Sequence, residues 1–142
     1  MKLLLDTECW LWWLLAPDRL NSRALDVFES RRDPLWLSAA SSWEIAIKVA
    51  LGRLELPAPP EAYVPQRLAA DGISGMAVEH VHALRAGALP RHHQDPFDRL
   101  LIAQAQLERM SVLTADSAFL SYDVDVVWAG LAPPRPPKKK SR

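Results

Sequence analysis

The sequence predicts an α/β fold, a three-layer sandwich in which a central parallel sheet is flanked by helices. Short apolar runs that end in polar or acidic residues are typical of the buried strands of a parallel sheet. Segments with apolar residues at helical spacing alternate with these runs, as helical crossovers between parallel strands require. The chain has 142 residues, 49% of them hydrophobic, which suits one compact domain and is too short for two.

The domain is predicted to occupy residues 1–131, followed by a tail over residues 132–142. From Pro133 onward the chain has four prolines, five positive charges and too little apolar surface to pack, which predicts disorder. A solvated end is the ordinary interpretation of such a tail. Weak attraction to phosphates is the functional interpretation.

Composition excludes several classes of protein. The 17 basic and 17 acidic residues balance, so the whole molecule has no net charge to attract a polyanion. Cys9 is the only cysteine, which excludes an intramolecular disulfide and fits a reducing compartment. Asp6 interrupts the apolar start too early for a signal peptide, and no apolar run is long enough to span a membrane. A cytoplasmic protein with no membrane partner is therefore expected.

The first half of the chain is predicted to contain two strands and three helices. The strands are Lys2–Leu5 and Leu35–Ser38. The first two helices are Glu8–Leu15, capped by Thr7, and Asn21–Glu29. The third helix opens at Ser41, which has capping-box spacing with Glu44, and it ends at Gly52.

The second half is predicted to continue the alternation. Its helices are Glu61–Ala70, Val81–Gly87 and a long one that runs from the Asp95-Pro-Phe-Asp-Arg motif to Leu107. Its strands are Ile73–Val78, Ser111–Thr114 and Tyr122–Trp128, and the proline-rich Leu56–Pro60 is a loop.

Four acidic residues are predicted to converge on one divalent metal ion. Asp6 and Asp116 follow strands, and open parallel sheets bind ligands beyond the carboxyl ends of their strands. Glu44 and Asp98 fall in the first turn of predicted helices. Mg²⁺ prefers oxygen ligands, and carboxylates gathered without a cation would repel one another.

Each acid also has an ordinary explanation. Glu44 and Asp98 suit the positive end of a helix dipole, and Asp116 is able to cap a helix that starts near Ser117. Asp6 is the hardest to explain in this way. A carboxylate directly behind a buried strand is costly unless it is paired or bound to a metal.

Four sequence blocks carry a resemblance to a known family. They are Asp6-Thr7 after an apolar strand, Ser38 to Ile45 with its Trp-Glu-Ile, Asp95 to Ala105 with its Asp-Pro-Phe-Asp-Arg, and Leu113 to Asp116 followed by Phe119 and Tyr122. In this order and spacing, from Met1 to about Trp128, the chain resembles the PIN-domain toxins called VapC. The resemblance implies a Mg²⁺- or Mn²⁺-dependent ribonuclease that is the toxin of a toxin–antitoxin pair. It also implies a homodimer that a cognate antitoxin protein silences.

Carried over by position, the resemblance places the catalytic and metal-binding acids at Asp6, Glu44, Asp98 and Asp116. Ser38 and Thr114 lie beside them as polar neighbours. Glu8 is a departure, because many relatives have histidine there. It is either a fifth carboxylate near the metal or, as the favoured interpretation, an ordinary acid at the start of a helix.

Positive and aromatic side chains near the acids are candidates for RNA contacts. The candidate phosphate ligands are Lys48, Arg53, Arg91, His92, His93 and Arg99. Some of these have alternatives: His92 and His93 are equally well explained as exposed loop residues, and Arg99 is able to pair with a carboxylate. The six tryptophans would suit base stacking, but core or subunit interface is the stronger interpretation, with Trp10 and Trp13 on one side of such an interface.

The predicted reaction is hydrolysis of RNA phosphodiester bonds, in which Asp6, Asp98 and Asp116 anchor Mg²⁺ and Glu44 holds the ion or orients the attacking water. Two alternatives are kept. An aspartyl-nucleophile phosphohydrolase would use Asp6 and Glu8, but it would want a lysine at a later strand end, where none is obvious. A noncatalytic module that binds RNA or protein would leave the four acids unexplained.

Overall fold

Strands and helices alternate through the computed structural model, which describes residues 1–136. The strands are β1 (Leu3–Leu5), β2 (Leu35–Ser38), β3 (Ser74–Met76), β4 (Ser111–Thr114) and β5 (Val126–Trp128). The helices are α1 (Thr7–Leu15), α2 (Ser22–Ser30), α3 (Ala39–Ala50), α4 (Pro60–Asp71), α5 (His80–Ala88) and α6 (Pro96–Glu108). Within the described residues no helix is long and apolar enough to cross a bilayer. The predicted tail lies outside the described residues from residue 137 onward.

All strand pairs in the sheet are parallel, in the order β3-β2-β1-β4-β5. From β1 the chain first builds outward to β2 and β3, and it then returns to build β4 and β5 on the other side. The direction of winding therefore reverses between β1 and β4. Ligands bind at such a reversal, beyond the carboxyl ends of the strands, and Asp6 and Asp116 follow these two strands.

The sheet is covered on both faces, which confirms the three-layer sandwich. Leu3 and Leu5 pack into one apolar cluster with residues of α1 to α4, including Trp10 and Ile45. Leu4, which points the other way, packs into a second cluster with α6 residues such as Ile102. Because both faces of the central strand are buried, β1 is apolar throughout rather than alternating.

Two predicted helix starts are wrong. Thr7 is the first residue of α1 rather than its cap, and its hydroxyl donates to Oγ of Ser41 at 2.8 Å. Helix α3 begins directly after β2 with Ser38 as its cap, and Oγ of Ser38 accepts the N–H of Ala40 at 3.0 Å. The predicted capping box of Ser41 and Glu44 therefore does not form, and Glu44 lies in the second turn.

The last strand is shorter than predicted. Val126 rather than Tyr122 begins β5, and Ser117–Ser121 form a short 3₁₀ helix. Phe119 and Tyr122 are buried in the second apolar cluster. Their burial holds the segment between β4 and β5 against the sheet. The hydroxyl of Tyr122 also accepts the backbone N–H of His93 at 2.8 Å.

The tryptophans divide into core and surface residues. Trp10 is fully buried, and the Trp13 ring stacks on Phe28 with centroids 4.9 Å apart. The predicted interface side formed by Trp10 and Trp13 is therefore wrong, because Trp10 belongs to the core. Trp43 is 65% exposed and meets Phe97 edge to face, with ring centroids 5.4 Å apart.

Candidate metal centre

Asp6 is held between the two central strands. Its backbone N–H donates to the carbonyl of Leu113 at 2.9 Å, which extends the pairing of β1 with β4 by one residue. Thr114 Oγ1 donates to Oδ2 of Asp6 at 2.7 Å. Asp6 is only 6% exposed, so the carboxylate is buried with one oxygen fixed by a neutral donor.

Asp116 lies two residues after the last residue of β4, and the same threonine holds its backbone. Thr114 Oγ1 accepts the N–H of Asp116 at 3.0 Å, and Oδ1 of Asp116 accepts the N–H of Ala118 at 2.9 Å. The capping interpretation of this residue is therefore correct for one oxygen. Oδ2 makes no hydrogen bond within residues 1–136, so capping does not prevent the second oxygen from binding a metal.

Asp98 lies in the first turn of α6, and Asp95 is the N-cap of that helix. Oδ1 of Asp95 accepts the N–H groups of Phe97 and Asp98 at 2.9 and 3.3 Å. Asp98 is thus free of the capping role, and its Oδ2 lies 2.8 Å from Nε2 of His93. His93, Asp98 and Asp116 each offer one ligand atom, and these three atoms lie within 4.8 Å of one another.

Glu44, the predicted acid on α3, lies outside the group of His93, Asp98 and Asp116. Its Oε2 lies 3.3 Å from Nζ of Lys48, one turn further along the helix, and its side chain is 13% exposed. After burial, Asp95 and Asp116, the charge of Glu44 also raises the pKa of Asp98.

The acids are strongly coupled. Burial, and then the charge of Asp98, raise the pKa of Asp6 to about 8, against the lowering effect of the Thr114 hydrogen bond. Burial, and then Asp95, Asp116 and Glu44, raise the pKa of Asp98 to about 8, against the effect of Lys48. Within residues 1–136 no lysine or arginine nitrogen lies within 4.0 Å of the carboxylates of Asp6, Asp98 or Asp116. The structure therefore brings Asp98 and Asp116 together with His93 as one potential ligand group, while Asp6 and Glu44 interact with these acids electrostatically but do not belong to that group.

Glu8 and Ser38 have smaller parts in this arrangement. Glu8 is exposed, and its charge is the last of the causes that raise the pKa of Asp6. This agrees with the favoured interpretation of Glu8 as an acid at the start of a helix, whose negative charge acts weakly on Asp6. Ser38 is fully buried, and its hydroxyl caps α3, so its observed role is local.

Arg99 contacts backbone carbonyls, so the alternative interpretation, in which it pairs with a carboxylate, is wrong. Its Nη2 donates to the carbonyls of Ala86 and Leu89 at 2.8 and 2.9 Å, and its Nη1 donates to those of Pro90 and His93 at 2.9 and 3.2 Å. The last carbonyls of a helix have no donor within that helix, so α5 ends on this guanidinium. The same contacts leave Arg99 poorly placed for a phosphate.

Replacement of Arg99 by lysine is expected to lower the free energy of unfolding by about 2–4 kcal/mol, because an ammonium group cannot donate to four carbonyls in one plane. Chemical denaturation measures the change. Arg85→Lys is the matched control, since Arg85 makes an exposed hydrogen bond to Gln106, and its effect should stay within about 0.5 kcal/mol. Equal effects of the two substitutions would contradict the role given to Arg99.

A second group of potential ligands, Glu79, His82 and Glu108, is structural. Their ligand atoms lie within 4.8 Å of one another. Nδ1 of the buried His82 accepts the N–H of Glu79 at 3.0 Å, and Nε2 lies 2.8 Å from Oε1 of Glu108. Since Nδ1 is an acceptor, Nε2 carries the ring proton and donates it to Glu108. A metal at Nε2 would need that nitrogen unprotonated, so this group instead fixes α5 against α6.

Sequence reasoning missed the specific roles of His93 and Asp95. Asp95 had a usable signal, because an aspartate before proline at the start of an apolar periodic segment is typical of a helix cap. His93 had none, because its contact with Asp98 depends on the conformation of the loop between α5 and α6. That loop is set by Arg99 and Tyr122.

Comparisons with known proteins agree with this architecture. A family model described as the PIN domain matches residues 3–125. Ribonuclease VapC16 of Mycobacterium tuberculosis is 43% identical over 68 residues, which make up 48% of this chain and 48% of that protein. The chain therefore matches about half the length of this curated relative.

Solved structures of other proteins share this fold. VapBC2 from Rickettsia felis, bound to a promoter DNA fragment, has a TM-score of 0.69 at 12% identity and covers 91% of this chain and 99% of its own. DNA-bound VapBC from Salmonella typhimurium has a TM-score of 0.68 at 14% identity, over 90% of this chain and 98% of its own. FitAcB from Neisseria gonorrhoeae has a TM-score of 0.60 at 22% identity, over 87% and 95%.

These structural likenesses establish the fold, and the family model covers most of the chain. Together with the acids gathered at the reversal point of the sheet, they identify the chain as a member of the PIN domain family.

Proposed function

We propose that this protein is a Mg²⁺-dependent ribonuclease, with Mn²⁺ as the alternative ion, and that it is the toxin of a toxin–antitoxin pair. One observation carries the proposal: Asp98 and Asp116, with His93, offer ligand atoms within 4.8 Å of one another beside the buried Asp6, and within residues 1–136 no lysine or arginine nitrogen lies within 4.0 Å of these three carboxylates. The name of the curated relative, a ribonuclease, supports the activity. The names of the solved neighbours support a cognate antitoxin as partner, and the VapC resemblance supports a homodimer.

The donor set fits a hard divalent cation. Asp6, Asp98, Asp116 and Glu44 provide carboxylate oxygens, which Mg²⁺ and Mn²⁺ prefer. Burial and mutual repulsion raise the pKa values of Asp6 and Asp98 to about 8, and a cation would relieve this repulsion. Such an ion, when bound, neutralises the scissile phosphate and lowers the pKa of a water molecule.

The protein's own groups would hold these acids in working geometry. Thr114 fixes one oxygen of Asp6 and the backbone of Asp116, so the two strand-end acids keep a constant spacing. His93 fixes one oxygen of Asp98. Glu44, restrained by Lys48, either holds the ion or orients the attacking water. The aspartyl-nucleophile alternative gains no support, since within residues 1–136 no lysine nitrogen lies within 4.0 Å of Asp6.

The test is sequencing of RNA 5′ and 3′ ends from cells that express the wild type or Asp98→Asn, together with cleavage by purified protein with Mg²⁺ or with a chelator. New RNA ends are expected only with the wild type, and cleavage only with the ion. Cleavage that persists in the chelator would overturn the metal dependence. Absence of any cleavage, together with absence of divalent-ion binding, would favour the noncatalytic module.

Thr114→Val is expected to raise the Mg²⁺ concentration for half-maximal cleavage about 10-fold. The substitution keeps the side-chain shape and removes the hydrogen bond that fixes Asp6 and lowers its pKa. A Mg²⁺ titration of the cleavage rate measures the shift. Thr7→Val is the control, because the hydroxyl of Thr7 donates to Ser41 instead of to an acid. Equal shifts in both variants would show that the Thr114 bond has no special role.

A further inference from the structure

His93 places an imidazole ring among the acids of the candidate metal centre. Its Nε2 lies 2.8 Å from Oδ2 of Asp98, and a ring nitrogen also lies within 4.8 Å of a carboxylate oxygen of Asp116. The side chain of His93 is 28% exposed, whereas the neighbouring His92 is exposed. A hydrogen bond to Asp98 would not require Asp116 as a second neighbour. One nitrogen and two carboxylates therefore face the same space.

The backbone of His93 is held on both sides by residues that lie close to the acids in the chain. Its N–H donates to the hydroxyl of Tyr122 at 2.8 Å, and its carbonyl accepts a hydrogen bond from Nη1 of Arg99 at 3.2 Å. Arg99 directly follows Asp98 in α6, and Tyr122 ends the 3₁₀ segment that Asp116 caps. These contacts fix the imidazole relative to both acids, which is the preorganisation that a metal ligand requires.

The ring proton of His93 is not committed to Nε2. Among the described residues, Nδ1 of His93 has no hydrogen-bond partner, so this nitrogen is able to carry the proton. His82 differs, because its Nδ1 accepts the N–H of Glu79 and its Nε2 must then carry the proton. Nε2 of His93 is therefore free to offer its lone pair to an ion, as metal-binding imidazoles do.

The distance between His93 and Asp98 suits two ligands of one ion. An octahedral ion with bonds of about 2.1 Å has neighbouring ligand atoms about 3 Å apart. Nε2 of His93 and Oδ2 of Asp98 are 2.8 Å apart. An ion bound by both atoms would replace the hydrogen bond between them, with the ring proton on Nδ1.

We propose that His93 is a direct ligand of the metal ion and that its nitrogen makes the centre prefer Mn²⁺ to Mg²⁺. This inference rests on the proposed metal-dependent nuclease and deepens it, because the ligand set carried over from the VapC resemblance contains only acids. Imidazole nitrogen is a softer donor than a carboxylate oxygen and suits transition-metal ions, whereas Mg²⁺ prefers oxygen. The carboxylates alone would still bind Mg²⁺, and His93 would add affinity mainly for Mn²⁺.

The first test compares affinities for the two ions in the intact chain without RNA. Mn²⁺ binding is measured by the loss of the free-ion electron paramagnetic resonance signal, and Mg²⁺ binding by competition with Mn²⁺. His93→Gln should lower the affinity for Mn²⁺ about 10–100-fold and the affinity for Mg²⁺ by less than about threefold. The glutamine amide is still able to donate to Oδ2 of Asp98, so the substitution keeps a hydrogen bond while it removes the imidazole nitrogen.

The second test is spectroscopic and separates a ligand from a positioning residue. Electron spin echo envelope modulation of bound Mn²⁺ detects a coordinated imidazole through the nuclear spin of its nitrogen. The wild type should show this modulation, and His93→Gln should lose it once enough Mn²⁺ is added to fill the centre. Circular dichroism checks the fold of each variant, and the wild-type measurement depends on no variant.

His80→Gln is the matched control for the loss of one imidazole. His80 is exposed at the start of α5, and the nearby His82 contacts Glu108, the last residue of α6. Asp98 lies in the first turn of α6, ten residues before Glu108, which corresponds to about 15 Å along the helix. The control should keep the nitrogen modulation and the wild-type affinities for both ions.

Three outcomes would overturn the inference. They are absence of nitrogen modulation in the wild type with Mn²⁺ bound, modulation that persists in His93→Gln, and equal losses of affinity for both ions in that variant. If the wild type cleaves RNA but shows no nitrogen modulation, the inference fails alone. If it shows the modulation but cleaves no RNA, the proposed function fails and the ligand assignment stands. A wild type that binds neither ion would reject both.

Discussion

Asp6→Asn and Asp98→Asn are each expected to lower the kcat of Mg²⁺-dependent RNA cleavage by at least about 100-fold. Each substitution keeps the side-chain shape and removes a negative charge from the group that would hold the ion. The fold should survive, because the amide oxygen introduced by Asp6→Asn is still able to accept the Thr114 hydrogen bond and because Asp95, not Asp98, caps α6. Cleavage of a defined RNA at saturating Mg²⁺ measures the effect, with circular dichroism as the check on folding.

Asp125→Asn is the matched control for these two variants. Asp125 is an exposed acid that directly precedes β5, so it lies at the opposite end of that strand from the metal centre. Its replacement should change kcat by less than about twofold. Full cleavage in both the Asp6 and Asp98 variants would reject these residues as metal-binding acids.

The metal-free protein is expected to lose stability as the pH rises from about 4 to about 8. The folded-state pKa of both Asp6 and Asp98 is raised from 3.8 to about 8, so within this window the folded state binds more protons than the unfolded state. Stability then falls with rising pH. A shift of about 4 pKa units corresponds to roughly 6 kcal/mol for one group, and because the two groups are coupled the loss should be on the order of this single-group value.

Urea denaturation at pH 5 and pH 8 in the presence of a chelator measures this loss. Asp6→Asn should flatten the pH dependence and be more stable than the wild type at pH 8. Mg²⁺ should restore much of the wild-type stability at pH 8, because the ion takes the place of the protons. An identical pH dependence for the wild type and Asp6→Asn would contradict the assignment.

The sequence was sufficient to predict the features that depend on hydrophobic pattern. The predicted bounds of β2 and β4 are confirmed. A short apolar run between polar or turn-forming residues leaves little choice of where the strand begins and ends. The gathering of Asp6 and Asp116 follows from parallel topology alone, since both residues come just after strands.

The incorrect predictions concern choices that local pattern does not determine. Ser38 and Ser41 both precede apolar helical residues, and only the direct passage from β2 into α3 selects Ser38 as the cap. The partners of Arg99 are carbonyls of α5 and the following loop, which no charge pattern identifies. Trp43 stays on the surface because its neighbour Ile45 takes the buried side of α3.

The hydroxyl of Thr114 joins parts of the chain that are far apart in sequence. Its bond to Asp6 spans 108 residues, and the same hydroxyl accepts the N–H of Asp116. An ion bound by Asp6 and Asp116 would therefore act as a reversible cross-link that closes a loop of nearly the whole domain, and closure of long loops restricts the unfolded chain most. In a protein whose single cysteine, Cys9, cannot form an internal disulfide, the supply of divalent ions would then set resistance to unfolding and proteolysis as well as activity.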